Sequence, residues 1–413
     1  MAQAHQFFAA HPLIVALIKI LIGFLVLSIV IMYIVYVERK VLAFMQARVG
    51  PMRVGPWGVL QAIADPLKLM LKEDIIPTQA DKTVFMIAPV IGVMAALSVF
   101  AVIPFASNFY IADVNIGILL ILAVSSLGIY GIILGGWASN SHYPLLGALR
   151  SAAQLVSYEV AAGIAIVGVL LFSNSLSMVT IVMRQEQMHA WNVIVQPVAF
   201  FVYLVAAVAE SNRAPFDLPE AESELTAGFH TEYSGFRFAL YFMAEYAAMI
   251  LVSCIGVTLF FGGWLRPFES VRWLGGAPAA GGIGGLLYYA PPVGLWGFAV
   301  FIIWLARRTP IPSERFFWLA FATVCVLLGA LVAIPPVLAV VQGVFWFSLK
   351  AAIFLYAFIW YRGTFPRYRY DQLMKLGWRW MIPLALANLI VTAVLRYWWL
   401  AAHAGSTTAT VLR

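Results

Sequence analysis

Cysteine is scarce in this sequence, and its scarcity limits the cofactors that the chain can hold. Only Cys254 and Cys325 are present, far apart and both inside apolar stretches. Iron–sulfur clusters and zinc sites need several thiolate or imidazole ligands around one centre. The six histidines are scattered and form neither an HExxH nor an HxxxH pair. We therefore expect no metal site and no covalently bound cofactor.

Charged residues are also scarce, which excludes an ordinary soluble protein. They make up 10% of the 413 residues, whereas soluble domains carry about 25%. Hydrophobic residues reach 63%, and the mean hydropathy is +0.93. The net charge of +7 does not indicate nucleic-acid binding, because Lys and Arg accumulate in the cytoplasmic loops of membrane proteins. The sequence also contains no Walker motif, nucleophile elbow or nucleic-acid module.

The sequence has instead a series of long apolar stretches. A helix needs about 20 apolar residues to cross the hydrocarbon core of a bilayer. The first stretch is too long for a signal peptide and follows a segment without Lys or Arg, so we expect a retained membrane helix. The sequence predicts an all-α polytopic membrane protein, one membrane domain over 1–413, with about ten transmembrane helices. They are expected at 13–37, 84–106, 116–137, 152–172, 192–209, 237–262, 289–306, 316–334, 344–361 and 381–401.

Basic residues are distributed unevenly among the predicted loops. Three lie inside spans; of the others, 18 fall in alternate loops on one side and four on the opposite side. Because Lys and Arg favour cytoplasmic loops, the richer side is predicted to be cytoplasmic, with both termini outside. The spans 289–306 and 316–334 must be kept or rejected together, since losing only one would place the last basic loop on the opposite side of the membrane.

The segment WGVLQAIADPLKLMLKED, between the first two spans, alternates apolar and polar residues at helical spacing. Its apolar face would carry Val59, Ile63, Leu67, Met70 and Leu71, and its polar face Gln61, Asp65, Lys68 and Lys72. Such a helix lies along the membrane surface rather than across it. We expect residues 56–74 to form one amphipathic surface helix.

The end of the first span carries an unusual set of polar residues. In VERKVLAFMQARVGPMRVGP the polar positions are Glu38, Arg39, Lys40, Gln46 and Arg48, followed by two Gly-Pro pairs that indicate turns. Basic side chains that reach from a helix end to the membrane surface would explain Arg39 and Lys40. They explain Glu38 and Gln46 less well, so a functional role stays open beside the structural one.

Six of the 18 acidic residues crowd into the segment 210–236. They are Glu210, Asp217, Glu220, Glu222, Glu224 and Glu232. Pro215 and Pro219 interrupt any helix there, so the backbone needs protection by protein or water. Glu220, Glu222 and Glu224 are too close to ionise independently in a poorly hydrated loop, where mutual repulsion and desolvation would raise some of their pKa values toward neutrality, which suits proton exchange. The alternative is a solvated acidic surface.

Glu159, Glu245 and Lys350 are among the charged residues inside predicted spans. A charge at the bilayer centre costs about 2.5–3.5 kcal/mol on insertion scales, so each should face the bundle interior or a water-filled cavity. Lys350 is expected either to pair structurally or to belong to a proton path.

Several segments together resemble one family of membrane proteins. They are VERKVLAFMQARVGP, DPLKLMLKED, AESNRAPFDLPEAESELTAGFHTEYSG, the FGGW after the sixth span, and RYDQLMKLGW. The chain is similar over nearly its whole length to the H-type membrane subunits of bacterial respiratory complex I, the proton-pumping NADH:quinone oxidoreductase. The mitochondrial counterpart is subunit 1.

The resemblance implies a multi-pass subunit in the bacterial inner membrane, with its acidic and basic loops cytoplasmic. It implies a subunit of an enzyme without a redox centre of its own, which takes quinone as substrate. Expected partners are the quinone-site subunits of the peripheral arm, neighbouring membrane-arm subunits and the lipid bilayer, with no nucleic acid. Quinone would be bordered by Glu38, Arg39, Lys40, Gln46 and Arg48. The proton path would include Glu159, Glu210, Asp217, Glu220, Glu222, Glu224, Glu232 and Lys350.

The chain departs from the family pattern at 286–336, where we expect an inserted helix pair. An even number of additional crossings preserves the topology on both sides. The alternative is the homologous subunit of a membrane-bound hydrogenase or ferredoxin-dependent complex. An independent cation transporter would need inverted repeats, which the sequence does not display.

Overall fold

The computed structural model describes residues 12–107, 109–217, 227–267, 287–308 and 312–407. Over these ranges the chain is mainly helical, and its β pairing is limited to one isolated bridge between Ala106 and Phe109. In chain order the α-helices are α1 (Pro12–Met45), α2 (Gln61–Leu71), α3 (Lys82–Ser98), α4 (Gly117–Ala138), α5 (His142–Ser173), α6 (Met178–Gln187), α7 (Asn192–Val195), α8 (Pro197–Glu210), α9 (Gly235–Phe260), α10 (Ala290–Arg308), α11 (Pro312–Val332), α12 (Pro335–Thr364), α13 (Tyr370–Lys375) and α14 (Ile382–Thr407).

Each of the ten predicted spans corresponds to an apolar helix. In the described part of the chain, nine helical stretches are long and apolar enough to cross a membrane, and α8 is a shorter apolar helix. The last of the nine runs through α13, a π-helical turn at Leu376–Met381 and most of α14. The chain is therefore an all-α, multi-pass membrane protein, as the sequence predicts.

The fifth span is shorter than the sequence predicts. An interval of 192–209 was expected, but α7 ends at Val195 and α8 covers only 14 residues. Gln196 has the non-helical angles φ −129° and ψ 57°, and Pro197 then begins α8 at a position where its missing N–H has no cost. At 1.5 Å per residue, α8 extends about 21 Å, less than the roughly 30 Å of a hydrocarbon core. Val208, Ala209 and the following Ser211 are buried, so the C-terminal end of α8 is enclosed by other parts of the chain.

The first helix is longer than its predicted span. It continues to Met45, so Glu38 and Lys40 belong to its last turns instead of following its end. Both side chains are buried, whereas Arg39 between them is exposed. At about 100° per residue the three consecutive side chains point in three directions, and the two buried ones lie on nearly opposite sides of α1.

The main core lies where α5, α8 and α9 pack together, with α3, α4, α12 and α14 around them. Tyr158, Val202 and Phe260 are almost completely buried there. Helices α3 and α4 approach closely because Gly131 has no side chain: a Cβ atom at this position would lie 2.9 Å from the Ala88 carbonyl oxygen. Small residues permit such close helix contacts in membranes.

Candidate functional site

Glu38 is the centre of a buried charged cluster at one end of the bundle. Its Oε1 accepts hydrogen bonds from Arg362 and, at 3.4 Å, from Arg213. Its Oε2 accepts a hydrogen bond of 2.7 Å from the Tyr246 hydroxyl. The Arg213 guanidinium also lies 4.0 Å from the centroid of the Tyr246 ring. We call these four residues the Glu38 cluster; they join α1, α9, α12 and the segment after α8.

The Glu38 cluster carries two cations and one carboxylate, so its described side chains leave an excess of positive charge. Burial alone would lower the pKa of Arg213, but Tyr246, Glu38 and Glu245 raise it above its ordinary value. Arg213 therefore remains a cation although it is only 6% exposed. Removing one member of a buried ion pair costs about 3–5 kcal/mol, because the remaining charge is left without compensation.

Three carboxylates line a partly open cavity beside this cluster. Glu159 on α5, Glu210 at the end of α8 and Glu245 on α9 line a cavity of about 100 Å³. The Ser126 hydroxyl donates a hydrogen bond to Glu159, and the Ser125 hydroxyl lies 3.5 Å from the same oxygen. The space accommodates several water molecules. We call this space and its three acids the carboxylate cavity.

The Glu38 cluster and the carboxylate cavity are adjacent along two chain segments. On α9, Glu245 lines the cavity and the next residue, Tyr246, binds Glu38. After α8, Glu210 lines the cavity and Arg213 binds Glu38. The charges of the two sites interact, because Glu245 at the cavity raises the pKa of Arg213 in the Glu38 cluster.

The segment after α8 is fixed by a buried amide on α5. The Gln154 side-chain nitrogen donates to the carbonyl oxygens of Ala209 and Phe216, each at 2.9 Å. Both bonds are buried, which favours one arrangement of this irregular backbone. Gln154 thus holds the connection between the two sites in place.

Asp217 lies farther along the same segment, buried and 3.0 Å from the Arg367 guanidinium. His230 is also buried, and burial lowers its pKa to about 4 although the charge of Asp217 acts in the opposite direction. The imidazole is therefore neutral at physiological pH. The Tyr368 N–H donates to the Pro215 carbonyl oxygen at 3.1 Å, so the segment after α12 covers this loop.

The residues predicted at the end of α1 fall into four environments. Glu38 belongs to the buried cluster, whereas Arg39 pairs with Asp65 of α2 at 2.6 Å. Lys40 is buried, with its Nζ 3.1 Å from the Met52 sulfur and facing the rings of Tyr36 and Trp57. Gln46 and Arg48 are exposed and bind each other at 2.7 Å. The structure thus brings Glu38 and Lys40 inward but leaves Gln46 and Arg48 at the surface.

The predicted acidic residues are only partly brought together. Glu159 and Glu210 share the cavity, while Asp217 and the half-buried Glu232 are not among its described lining residues. Glu220, Glu222 and Glu224 lie outside the described residues, and their predicted role stays a prediction.

Lys350 is placed away from the carboxylate cavity, where its ammonium group supports a backbone turn. Its Nζ donates to the carbonyl oxygens of Phe261, Gly263 and Leu265 at 2.7, 2.9 and 2.6 Å. It also lies 4.8 Å from the centroid of the Trp191 ring. This geometry supports a structural role; the proton-path role stays a prediction.

We expect Lys350→Met to lower the amount and thermal stability of the assembled complex without lowering quinone turnover per assembled complex. Each buried carbonyl left without its donor costs about 1–3 kcal/mol. Native gels, thermal unfolding and turnover normalised to assembled complex measure the two effects, with Lys350→Arg as the control that keeps the charge. A loss of turnover in fully assembled Lys350→Met complex would instead support the proton path.

Sequence reasoning missed several residues that hold these sites together. Tyr246 and Gln154 carry no charge and occur in apolar helices, so no pattern indicated them. Arg362 was grouped with the basic residues that set topology. Glu245 was identified as an intramembrane acid but was not included in the predicted proton path. The position of Glu245 in an apolar stretch was a sufficient reason to include it in that path.

Comparisons with known proteins agree with this architecture. The model of the NADH dehydrogenase family matches residues 18–393. An H-type NADH-quinone oxidoreductase subunit of Solibacter usitatus (strain Ellin6076) is 53% identical over 390 residues, which cover 93% of this chain and 97% of that protein. An H-type subunit of Koribacter versatilis (strain Ellin345) is 50% identical, covering 92% of this chain and 91% of its own. The chain belongs to the NADH dehydrogenase family, as a membrane subunit of complex I.

Proposed function

We propose that this subunit forms part of the quinone-binding chamber of NADH:quinone oxidoreductase and couples quinone reduction to proton translocation. The observation that carries the proposal is the adjacency of the Glu38 cluster and the carboxylate cavity. Charged groups inside a membrane protein are costly and commonly belong to ion or proton pathways. Here two acids of the cavity, Glu210 and Glu245, lie on the same two short chain segments as Arg213 and Tyr246 of the cluster.

The quinone side of the proposal is supported by the surroundings of Lys40. A quinone head group has an aromatic ring and two carbonyl acceptors, which suit aromatic side chains and cationic donors. Tyr36, Trp57 and Lys40 offer these groups beside the α1–α2 connection. Helix α2 exposes Leu67 and Leu71, as expected for a helix that lies along the membrane surface and admits a lipid-soluble substrate.

The proton side is supported by the three acids of the carboxylate cavity. Reduction of a quinone consumes two electrons and two protons and yields the quinol. Electrons arrive from other subunits, so in this account negative charge develops on the quinone beside Lys40, two residues from Glu38 along α1, before protons neutralise it. The field of this charge changes the proton occupancy of Glu245 and its neighbours, because interacting acids titrate as one coupled group. In this account the acidic loop 210–236 joins the chamber to the cavity.

The proposed setting follows from the family and the charge distribution. The subunit lies in the bacterial inner membrane with its acidic and basic loops in the cytoplasm. It contacts the quinone-site subunits of the peripheral arm and neighbouring membrane-arm subunits. We assign the pair α10 and α11 to the predicted insertion at 286–336, which stays a prediction.

A photoreactive quinone analogue tests the chamber directly. In the assembled complex we expect it to label this chain within residues 36–65, because α1 and the following turn present the aromatic and cationic groups. Peptide mass spectrometry locates the label, and excess natural quinone should abolish it. Competable labelling confined to other subunits or to distant helices of this chain would contradict the proposed chamber.

A further inference from the structure

Helices α10 and α11 form a hairpin with its own small core. Ala299 and Ile302 of α10 are buried against Trp318 and Cys325 of α11. The pair packs along most of its length, with few contacts to the remaining helices. The hairpin is therefore a separate unit whose position depends on a limited number of contacts.

One of these contacts reaches the turn before α2. The rings of Trp318 and Trp57 meet edge to face, with centroids 6.1 Å apart and an interplanar angle of 80°. Trp57 and Val59 are half-buried against the hairpin core. The hairpin thus supports the segment 55–58, which we call the Trp57 turn.

The Trp57 turn has an uncommon backbone that needs such support. Trp57 has φ 56° and ψ 18°, a left-handed conformation that bulky residues rarely adopt. Gly58 follows with φ 75°, and a Cβ atom there would lie 2.3 Å from the Pro51 carbonyl oxygen. The turn is held from the other side by Tyr36, whose hydroxyl donates to the Trp57 carbonyl oxygen at 2.8 Å. Strained positions of this kind persist where their surroundings fix them.

The inner side of the same turn faces Lys40. The Lys40 ammonium lies 5.9 Å from the centroid of the Trp57 ring and 5.7 Å from that of Tyr36. Trp57 therefore lies between the hairpin, which contacts it through Trp318, and the group of side chains to which the proposed function assigns quinone access.

We propose that the hairpin α10–α11 is a buttress that fixes Trp57 beside Lys40 and thereby sets the affinity of the subunit for quinone. This inference rests on the proposed function. Trp318 acts as a positioning residue, because it contacts Trp57 and not the substrate. When only a fraction of the molecules holds the binding arrangement, the apparent affinity falls by that fraction.

Trp318→Ala should therefore raise the KM for quinone about three- to tenfold while kcat stays within about twofold. An aromatic pair of ordinary strength supports an effect of this size. Trp318→Phe should behave as wild type, because it keeps an aromatic edge at Trp57. The Trp318 indole N–H has no hydrogen-bond acceptor among the described residues, so Phe loses no bond there.

Two further variants complete the test on the intact complex. Trp304→Ala removes a half-exposed tryptophan of α10, 4.0 Å from Arg308, and should leave KM unchanged. Trp57→Ala should raise KM, and combining it with Trp318→Ala should add little, because contacting residues acting through one interaction are not additive.

The outcomes separate the buttress from the proposed function. An unchanged KM in Trp318→Ala, or a KM raised equally by Trp304→Ala, would overturn the buttress. If Trp318→Ala lowers the yield of complex but leaves the KM unchanged, the proposal is also overturned, and Trp318 then serves only in folding. The proposed function is tested separately by Glu38→Gln. If that variant reduces quinone normally, the proposed quinone chamber is wrong. If Glu38→Gln is inactive while Trp318→Ala has a normal KM, only the proposed role of the hairpin is wrong.

Discussion

Glu38→Gln is expected to lower NADH:quinone reductase activity of the assembled complex more than tenfold, while electron transfer from NADH to a soluble artificial acceptor stays normal. The carboxylate of Glu38 is shared by Arg213 and Arg362 and accepts the Tyr246 hydroxyl. Glutamine removes the negative charge and leaves two cations facing each other in a buried site. Because a broken buried pair costs about 3–5 kcal/mol, the cluster should rearrange. In the proposed function the early redox steps belong to other subunits, so this substitution should leave them unaffected.

Both activities are measured on the same membranes, after assembly has been verified on native gels. Glu38→Asp is the matched variant that keeps the charge and should retain part of the quinone activity. Glu186→Gln removes an exposed acid of α6 and should have no effect. Normal quinone activity in assembled Glu38→Gln complex, or the parallel loss of both activities, would contradict the assignment.

The membrane helices could be predicted from the sequence because each depends on one local property, a long apolar stretch. The predicted helix boundaries were wrong where a helix and an apolar stretch of the sequence do not end at the same residue. Helix α8 is short because Gln196 and Pro197 interrupt a stretch whose hydropathy continues through them. Helix α1 is long because helical geometry persists through Glu38 and Arg39, beyond its apolar part.

The candidate site could be predicted only in part, for a related reason. Glu159 and Glu245 were identified as inward-facing because an acid in an apolar stretch has few other options. The pairing of Glu38 with Arg213 and Arg362 joins three distant segments, and no local pattern specifies which cation reaches which acid. Gln154 acts through two backbone carbonyls, which a sequence pattern does not reveal.

The second large effect is expected in the carboxylate cavity. Glu159→Gln and Glu245→Gln should each lower quinone turnover partially, and the double variant should lower it about tenfold or more, because only Glu210 then remains at the cavity. Loss of a proton-transfer group costs about 10²–10⁴-fold when no other group replaces it. Single variants keep two of the three acids at the cavity, so alternative carriers remain. Both substitutions preserve size, and Glu186→Gln again serves as the control outside the cavity.

The most direct test of coupling is to measure quinone turnover and vesicle acidification together in liposomes containing the Glu159→Gln, Glu245→Gln double variant. The carboxylate cavity links the two processes in this account, so both rates should fall together and to a similar extent. Wild-type turnover and acidification in the assembled double variant would contradict the account, because the cavity would then carry no protons that the reaction requires.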